Sequence, residues 1–132
     1  MEVILAVVAD SASITEGGNL DVVGIFDTIP TRGVPVSAPR MSIVFTIRRE
    51  PGDVSPVGLT VDVVDADGQE IVKWHSAIIG SSPSPGRFVH LHLVLPCPPS
   101  LVFPRLGSYR ARLLAGDDHL GSALFQVALL DP

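Results

Sequence analysis

Large apolar residues alternate with polar ones along most of the chain, with a period of two. The odd positions are apolar in the segments 43–47, 59–63, 89–95 and 125–129. A β-strand places successive side chains on opposite faces, so each of these segments has a core face and a solvent face. No stretch carries a 3.6-residue period over the roughly ten residues that a helix needs. The pattern therefore predicts an all-β protein.

Turn residues punctuate the chain between the alternating segments. Gly17-Gly18-Asn19 separates the first two apolar runs, and Asp65-Ala66-Asp67-Gly68 is typical of a hairpin turn, because Asp bonds its own backbone and Gly supplies positive φ. Most prolines also fall between the runs, where a missing N–H breaks no ladder. We expect about eight strands, at residues 2–9, 20–29, 41–49, 57–65, 69–77, 87–95, 107–115 and 119–129.

A run of strands without helices predicts an antiparallel sandwich or barrel. Tight hairpins alternate here with longer loops at 30–40 and 78–86, which suit crossings between the two sheets of a sandwich. Tyr109 stands where the tyrosine corner of an immunoglobulin-like sandwich would lie. Ala111 occupies the place of the second immunoglobulin cysteine. The predicted fold is thus an antiparallel β-sandwich, immunoglobulin-like in architecture only.

The chain is expected to form a single domain over residues 1–132. Its length suits one sandwich, and 46% of its residues are hydrophobic, enough for a core. We find no internal repeat, low-complexity tract or linker. Disorder and a two-domain organisation are therefore not expected.

Charge and cysteine content narrow the function classes. The formal net charge is −5, which argues against general affinity for nucleic acid. The apolar run 3–9 follows Glu2 rather than a basic segment and is too short to span a bilayer, so no membrane association is expected. Cys97 is the one cysteine, which excludes an internal disulfide and fits a reducing compartment. We expect a location in the cytoplasm of a bacterium.

Several motifs together resemble a family of short bacterial proteins known only as a domain of unknown function. They are the strand at 5–10, the block Gly24-Ile25-Phe26-Asp27, the hairpin Asp65-Ala66-Asp67-Gly68, and the closing segment Phe103-Pro104-Arg105-Leu106-Gly107-Ser108-Tyr109. The resemblance covers nearly the whole chain. It implies a β-sandwich fold and no characterised activity, and it assigns no functional residues.

His90 and His92 form the sharpest candidate site. At positions i and i+2 of one strand they share a face, and the aliphatic odd positions between them take the core. Two such imidazoles can bind Zn²⁺ when a neighbouring strand adds a third ligand, for which His75 and Asp62 are the candidates. The alternative is a pair of exposed histidines on a solvated strand.

Two other polar groups have both a functional and an ordinary interpretation. The carboxylates of Asp65 and Asp67 suggest calcium, but the spacing of an EF-hand loop fails, and the hairpin turn explains them without an ion. Arg110 and Arg112 point outward on the strand led by Tyr109. If the strand ending in Arg48 and Arg49 neighbours it, they would form a cationic patch for a carboxylate or phosphate. Otherwise they are solvated arginines.

The segments 2–9 and 20–29 are apolar on both faces. A strand of this kind is covered on both sides, and no helix is available as a cover, so we expect Val23 and Ile25 to belong to a homo-oligomer or docking face.

The leading function is accordingly a small non-enzymatic interaction or structural module that acts through sheet faces or edges and needs no cofactor. No nucleophile–base pair or phosphate-binding glycine loop is present. The alternative is a ligand-binding sandwich, for metal through His90 and His92 or for carbohydrate. Trp74 is the one candidate platform for a sugar, and its alternation with Val72 predicts that it is buried instead.

Overall fold

The computed structural model describes residues 1–50, 58–75, 78–83 and 88–130, and within these ranges it contains strands and no helix. The strands are β1 (Glu2–Ile14), β2 (Leu20–Phe26), β3 (Thr28–Thr31), β4 (Val36–Ser37), β5 (Ser42–Arg49), β6 (Leu59–Asp65), β7 (Glu70–Trp74), β8 (Ile78–Pro83), β9 (Val89–Pro96), β10 (Val102–Phe103), β11 (Gly107–Ala115) and β12 (Asp118–Leu129). The prediction of an all-β fold is confirmed. The described part of the chain also contains no helix that could cross a membrane.

Ten of the strands form two five-stranded sheets. Sheet A has the order β2-β1-β5-β9-β8, and sheet B has the order β3-β12-β11-β6-β7. The short strands β4 and β10 pair with each other. Side chains from both sheets, such as Phe45 and Leu93 of sheet A and Tyr109 and Phe125 of sheet B, belong to one buried cluster. The two sheets therefore pack face to face around a shared core, as a sandwich does.

The predicted alternation holds in the central strands. In β9 the core takes Leu91, Leu93 and Leu95, and in β11 it takes Tyr109, Ala111 and Leu113. Because side chains alternate along a strand, the residues between them project from the outer face of their sheet. These outer faces carry His90 and His92 of β9 and Arg110 and Arg112 of β11.

The predicted strand 20–29 changes sheets in its middle. β2 pairs with β1 in sheet A, and after Asp27 the chain continues as β3 in sheet B, where it runs parallel to β12. Phe26 packs against the core from one sheet and Ile29 is buried in it from the other. The expectation of purely antiparallel pairing is therefore wrong for this one pair, because a strand that crosses between sheets meets its new neighbour in the same direction.

The predicted loop 78–86 is wrong over its first part. Residues Ile78–Pro83 form β8, which pairs with β9 from Ile78–Val94 to Pro83–Val89. Ladder pairing uses backbone groups, so a segment rich in Ser and Gly can complete an edge that composition alone would leave as a loop. The rest of that loop, 84–86, and the predicted strand ends at 57, 76–77 and 87 lie outside the described residues.

β1 extends well past its predicted end at residue 9. From Glu2 to Ala9 it pairs with β5, and beyond that point it pairs with β2 alone. We call this hairpin, residues 11–23, the arm. β1 contacts β8 and β9 although β5 lies between them in sheet A, and at the arm's tip a Cβ on Gly18 would overlap the carbonyl oxygen of Ser81. The arm thus folds back across the outer face of sheet A.

The arm explains why the first strands are apolar on both faces. On the outer face of sheet A, Val44 and Val94 are fully buried and Thr46 and His92 nearly so. The half-buried residues of the arm include Ala12, Ile14, Leu20 and Val22, whereas Ser13, Asp21 and Val23 are exposed. The chain therefore covers part of this face itself, without a helix, whereas the sequence favoured a partner as the cover.

Tyr109 joins β11 to the loop before it. Its hydroxyl donates to the carbonyl oxygen of Arg105 at 2.7 Å and accepts from the Arg105 N–H at 3.2 Å. The ring stacks on Phe125 with 5.7 Å between centroids and meets Phe103 edge-on at 5.1 Å. This hydrogen bond to the backbone a few residues upstream is the one that the position of Tyr109 predicts.

Candidate functional site

The predicted site residues lie on opposite sides of the sandwich. Val23 and Ile25 of β2, together with His90 and His92 of β9, belong to sheet A, whereas Arg110 and Arg112 of β11 belong to sheet B. The core separates the two outer faces. The structure therefore holds two separate candidate surfaces rather than one site.

The two histidines differ in environment. His92 is buried, with 6% of its surface exposed, and its Nδ1 lies 2.9 Å from the hydroxyl of Thr46. The rings of His90 and His92 are 6.2 Å apart in an edge-on arrangement. Burial, and secondarily the positive charge of a protonated His90, lower the pKa of His92. The expectation that both histidines face solvent is wrong for His92, because the outer face of sheet A is covered around it.

Neither expected third metal ligand reaches this pair. Asp62 lies on β6 and His75 follows β7, and both strands belong to sheet B. Within the described ranges, no three His, Cys, Asp or Glu side chains come together as a metal site would require. A zinc site in proteins uses at least three protein ligands. His90 and His92 alone do not supply that set.

The carboxylates at 65 and 67 belong to the β6–β7 turn. Asp65 Oδ1 accepts the N–H groups of Asp67 and Gln69, each at 2.9 Å, and Gly68 has a φ of 81°. Asp65 Oδ2 is 4.0 Å from the Arg105 guanidinium, which also contacts Asp67 at 3.3 Å. The turn accounts for Asp65 Oδ1, as the hairpin interpretation predicts, whereas the buried Asp65 Oδ2 has no hydrogen-bond partner among the described residues and only the distant charge of Arg105 beside it.

Arg112 is held by a carboxylate of its own sheet. Its Nε and Nη2 donate to the two oxygens of Asp62 at 2.8 and 2.7 Å, across the β6–β11 pair. The hydrogen bonds that Arg112 donates to Asp62 raise the pKa of Arg112, so its positive charge is fixed. Arg112 thus pairs with a carboxylate of its own sheet, as the ordinary interpretation of these arginines has it, and its contribution to a partner surface stays a prediction.

The cationic patch predicted from four arginines does not form. Arg48 and Arg49 lie on β5, whose neighbours in sheet A are β1 and β9, whereas Arg110 lies on β11 in sheet B. Arg48 pairs with Glu2 at 3.0 Å and stacks over the ring of Phe88 at 4.7 Å. The arginines of β5 and those of β11 therefore lie in different sheets and do not form one patch.

A groove of about 490 Å³ opens on sheet B. Its floor is formed by Ser108, Arg110, Leu124 and Gln126, and its two sides include Ala66 of the β6–β7 turn and Asp27 of the β2–β3 crossover. We call this feature the sheet B groove. Its volume falls in the roughly 300–1,000 Å³ range of small-ligand sites in proteins.

The floor of the groove is a block of two cross-strand pairs. Arg110 lies opposite Leu124, and Ser108 lies opposite Gln126. Leu124 is 67% exposed, more than any other large hydrophobic residue of the described chain. Gln126 is held by a hydrogen bond from its Nε2 to the hydroxyl of Thr28 at 3.2 Å. The groove thus combines a cation, an apolar side chain and fixed polar groups.

Arg110 has no ion pair or side-chain hydrogen bond with any residue in the described ranges. Its neighbour on the same face, Arg112, is fully occupied by Asp62. The prediction that Arg110 points outward is confirmed. Sequence reasoning overlooked Leu124, although its core-facing neighbours Ala123 and Phe125 place an apolar residue on the outer face at 124.

Val23 and Ile25 form a second exposed apolar surface. They are 56% and 62% exposed on β2, at the edge of sheet A. Between them Gly24 has a φ of 71°, and a Cβ there would overlap the Asp10 carboxylate. The expected exposure of this pair is confirmed, and whether it binds a partner stays a prediction.

Each strand at a sheet edge carries a feature that hinders further pairing. β3 contains Pro30 and β8 contains Pro83, which lack an N–H, β2 contains Gly24 with its positive φ, and β7 exposes Lys73. Prolines, irregularities and lysines are the usual means by which proteins protect open edges. Binding through the faces of the sheets is therefore better supported than binding through their edges.

Cys97 and Trp74 are engaged in the fold. Both are partly buried and pack against the core. Burial raises the pKa of the Cys97 thiol to about 12, so the thiol stays protonated and weakly nucleophilic near neutral pH. Trp74 is only partly buried and packs against the core, so the burial expected from its alternation with Val72 holds in part.

The chain belongs to the family of unknown function DUF6941, whose model matches residues 4–128. The resemblance inferred from the sequence is confirmed to this extent: the family spans nearly the whole chain and its description names no activity. Neither the comparison with curated proteins nor the comparison with solved structures returned a match.

Proposed function

We propose that this protein is a non-enzymatic interaction module that docks a partner protein on the outer face of sheet B. One observation carries the proposal: Leu124, 67% exposed, lies opposite the unpaired Arg110 in the floor of a groove of about 490 Å³. An exposed leucine on the outer face of a sheet contributes nothing to its own core. It gains contacts when a partner covers it.

The chemistry of the groove supports a protein partner. Protein interfaces combine apolar anchors with arginine, and polar groups surround them. Leu124 and Arg110 supply the first two, and Ser108 and Gln126 supply polar groups beside them. The Arg112–Asp62 pair lies next along the same face and stiffens it.

A non-enzymatic role in the bacterial cytoplasm is part of the proposal. Its support is the single cysteine, whose raised pKa disfavours nucleophilic use, and the lack of a cluster of potential metal ligands in the described ranges. The protected edges of both sheets favour face docking over strand addition.

Self-association through Val23 and Ile25 is the second candidate. Its supporting observation is that these two side chains of β2 are 56% and 62% exposed. Size-exclusion chromatography with light scattering tests it: wild type should form a dimer that Ile25→Asp dissociates. A monomer at high micromolar concentration contradicts this candidate.

Photo-crosslinking tests the main proposal. A photoreactive amino acid is placed at 124, at 23, and at 102 as a control, since Val102 is 41% exposed but lies on the separate β4–β10 pair. After irradiation in the native host, we expect a discrete adduct with one partner at 124 and none at 102.

When Arg110→Gln is combined with the crosslinker at position 124, the yield of this adduct should fall. No adduct at 124, or the same adducts at 102, contradicts docking on sheet B. An adduct at 23 alone would move the docking surface to sheet A.

A further inference from the structure

We propose that the sheet B groove holds the carboxyl-terminal residue of the partner polypeptide, with its α-carboxylate on Arg110 and an aliphatic side chain on Leu124. This rests on the proposed function and specifies the chemistry of the partner. The guanidinium of an arginine presents paired N–H donors that match a carboxylate.

The cross-strand register lets one residue make both contacts. Arg110 and Leu124 are directly opposite each other in the β11–β12 pair, and opposed residues have Cβ atoms about 4.5–5.5 Å apart. The α-carboxylate and the side chain of a terminal residue both leave the same Cα. A terminal Leu, Ile or Val therefore meets the two groups without a second residue.

The surrounding charges favour a single anion. Arg110 is the one cation among the groove residues, whereas Asp27 lines one side and Asp65 belongs to the opposite turn. A phosphate or a polyanion would place its further negative charge near these carboxylates. A lone carboxylate brings a single charge that Arg110 can neutralise, so it meets less of this repulsion.

The neighbouring pair can accommodate the peptide backbone. Ser108 and Gln126 lie one step along the floor, on the same face as Arg110 and Leu124. The Ser108 hydroxyl can accept from or donate to the last amide of the peptide. Ala66 and Asp27 bound the groove on two sides.

Amide NMR of the full-length protein tests this directly. The probe is the peptide acetyl-Gly-Ser-Gly-Ser-Gly-Leu with a free carboxylate, and its matched control is the same peptide with a carboxamide end. We expect saturable shifts of the amide signals of Ser108, Arg110, Leu124 and Gln126, and binding about tenfold or more weaker for the carboxamide, because the charge-assisted bonds are lost.

Variants identify the groups. Arg110→Gln should weaken binding of the free acid about tenfold or more and abolish its preference over the carboxamide. Leu124→Ser should weaken both peptides. Arg32→Gln, at an exposed arginine outside the groove, should leave binding unchanged. Equal binding of acid and amide, shifts outside the groove, or no effect of Arg110→Gln overturns the proposal.

Two further results distinguish an error in the kind of ligand from an error in the docking surface. If N-acetyl-leucine binds while the hexapeptide does not, the ligand is a small acid and the assignment to a polypeptide end is wrong. If the peptide fails while the crosslink at position 124 persists, sheet B still docks a partner and only its terminal chemistry is wrong.

Discussion

The hydroxyl of Tyr109 is the clearest case of one atom fixing a loop. It bonds both the N–H and the C=O of Arg105. In Tyr109→Phe the ring keeps its stacking on Phe125, but these two backbone groups lose their partner. We expect a loss of about 1–3 kcal/mol in the free energy of unfolding, measured by urea denaturation.

Arg105→Ala is the matched control for this hydrogen bond. It removes a side chain that is 59% exposed and pairs with Asp67, but it keeps the backbone groups that Tyr109 contacts. Exposed ion pairs contribute about 0–1 kcal/mol. A Tyr109→Phe protein as stable as Arg105→Ala would show that the hydroxyl does not hold the loop.

His92 should make stability depend on pH in the acidic range. Burial and His90 lower its pKa in the folded protein, so below about pH 6.5 the unfolded chain binds a proton that the folded chain resists. Stability should therefore fall as the pH drops below about 6.5 and level off once the pH is below the folded pKa. Thermal unfolding across this range measures the slope.

Two variants assign this slope to His92. His92→Gln removes the titrating group, so its stability curve should be flatter over the same range. His119→Gln changes an exposed histidine that bonds Ser122, and it should keep the wild-type slope. The assignment is refuted if both variants titrate alike.

At the scale of the strand, the sequence predicts what is local. The alternation in β5, β9, β11 and β12 identifies their core faces, because the period of two is a property of neighbouring residues. The Asp65–Gly68 turn is equally local. For the same reason Arg110 could be placed on an outer face before its neighbours were known.

The features that sequence reasoning missed depend on contacts between distant segments. The crossover at Asp27 moves a continuous apolar run from one sheet to the other, which the alternation cannot show. His92 stands at an outward position of β9 and is nevertheless buried, because the outer face of sheet A is covered around it. The Arg112–Asp62 pair needed the β6–β11 register. Predicting the sheet B groove would likewise require knowing which strands are adjacent.

Gly24 is the residue that tests the arm. Its φ is 71° and a Cβ would overlap the Asp10 carboxylate across the strand pair. For Gly24→Ala we expect a loss of at least about 1–2 kcal/mol, the cost of a left-handed backbone for an L-residue. Amide hydrogen exchange should also become faster in the arm than in β11.

Gly33→Ala is the control for Gly24→Ala. A Cβ at residue 33 would meet nothing within 4 Å, and its φ is not in the left-handed region. The change should be neutral or stabilise by up to about 1 kcal/mol through the unfolded chain. If the two alanine variants are equally stable, the arm does not depend on the conformation of residue 24.

At the scale of the whole molecule, the two sheets also meet where β1 contacts β12. A Cβ on Gly121 of sheet B would lie 3.1 Å from three side-chain atoms of Val3 of sheet A. That distance is too short for relaxed packing, so the absence of a side chain at 121 lets the sheets approach. This contact links the first strand of the chain to the last.

A double-mutant cycle measures that link. Gly121→Ala should destabilise by about 1–3 kcal/mol through overpacking, and Val3→Ala should lose about 1 kcal/mol of apolar burial. The double variant should be more stable than their sum by at least about 0.5 kcal/mol, because each change makes room for the other. Gly33→Ala combined with Val3→Ala should instead be additive.

Since the sheets share one core, Trp74 fluorescence from sheet B and circular dichroism from all strands should report one transition in every variant. Additivity at Gly121 and Val3, or two separate transitions, would mean that the sheets are not coupled at this contact.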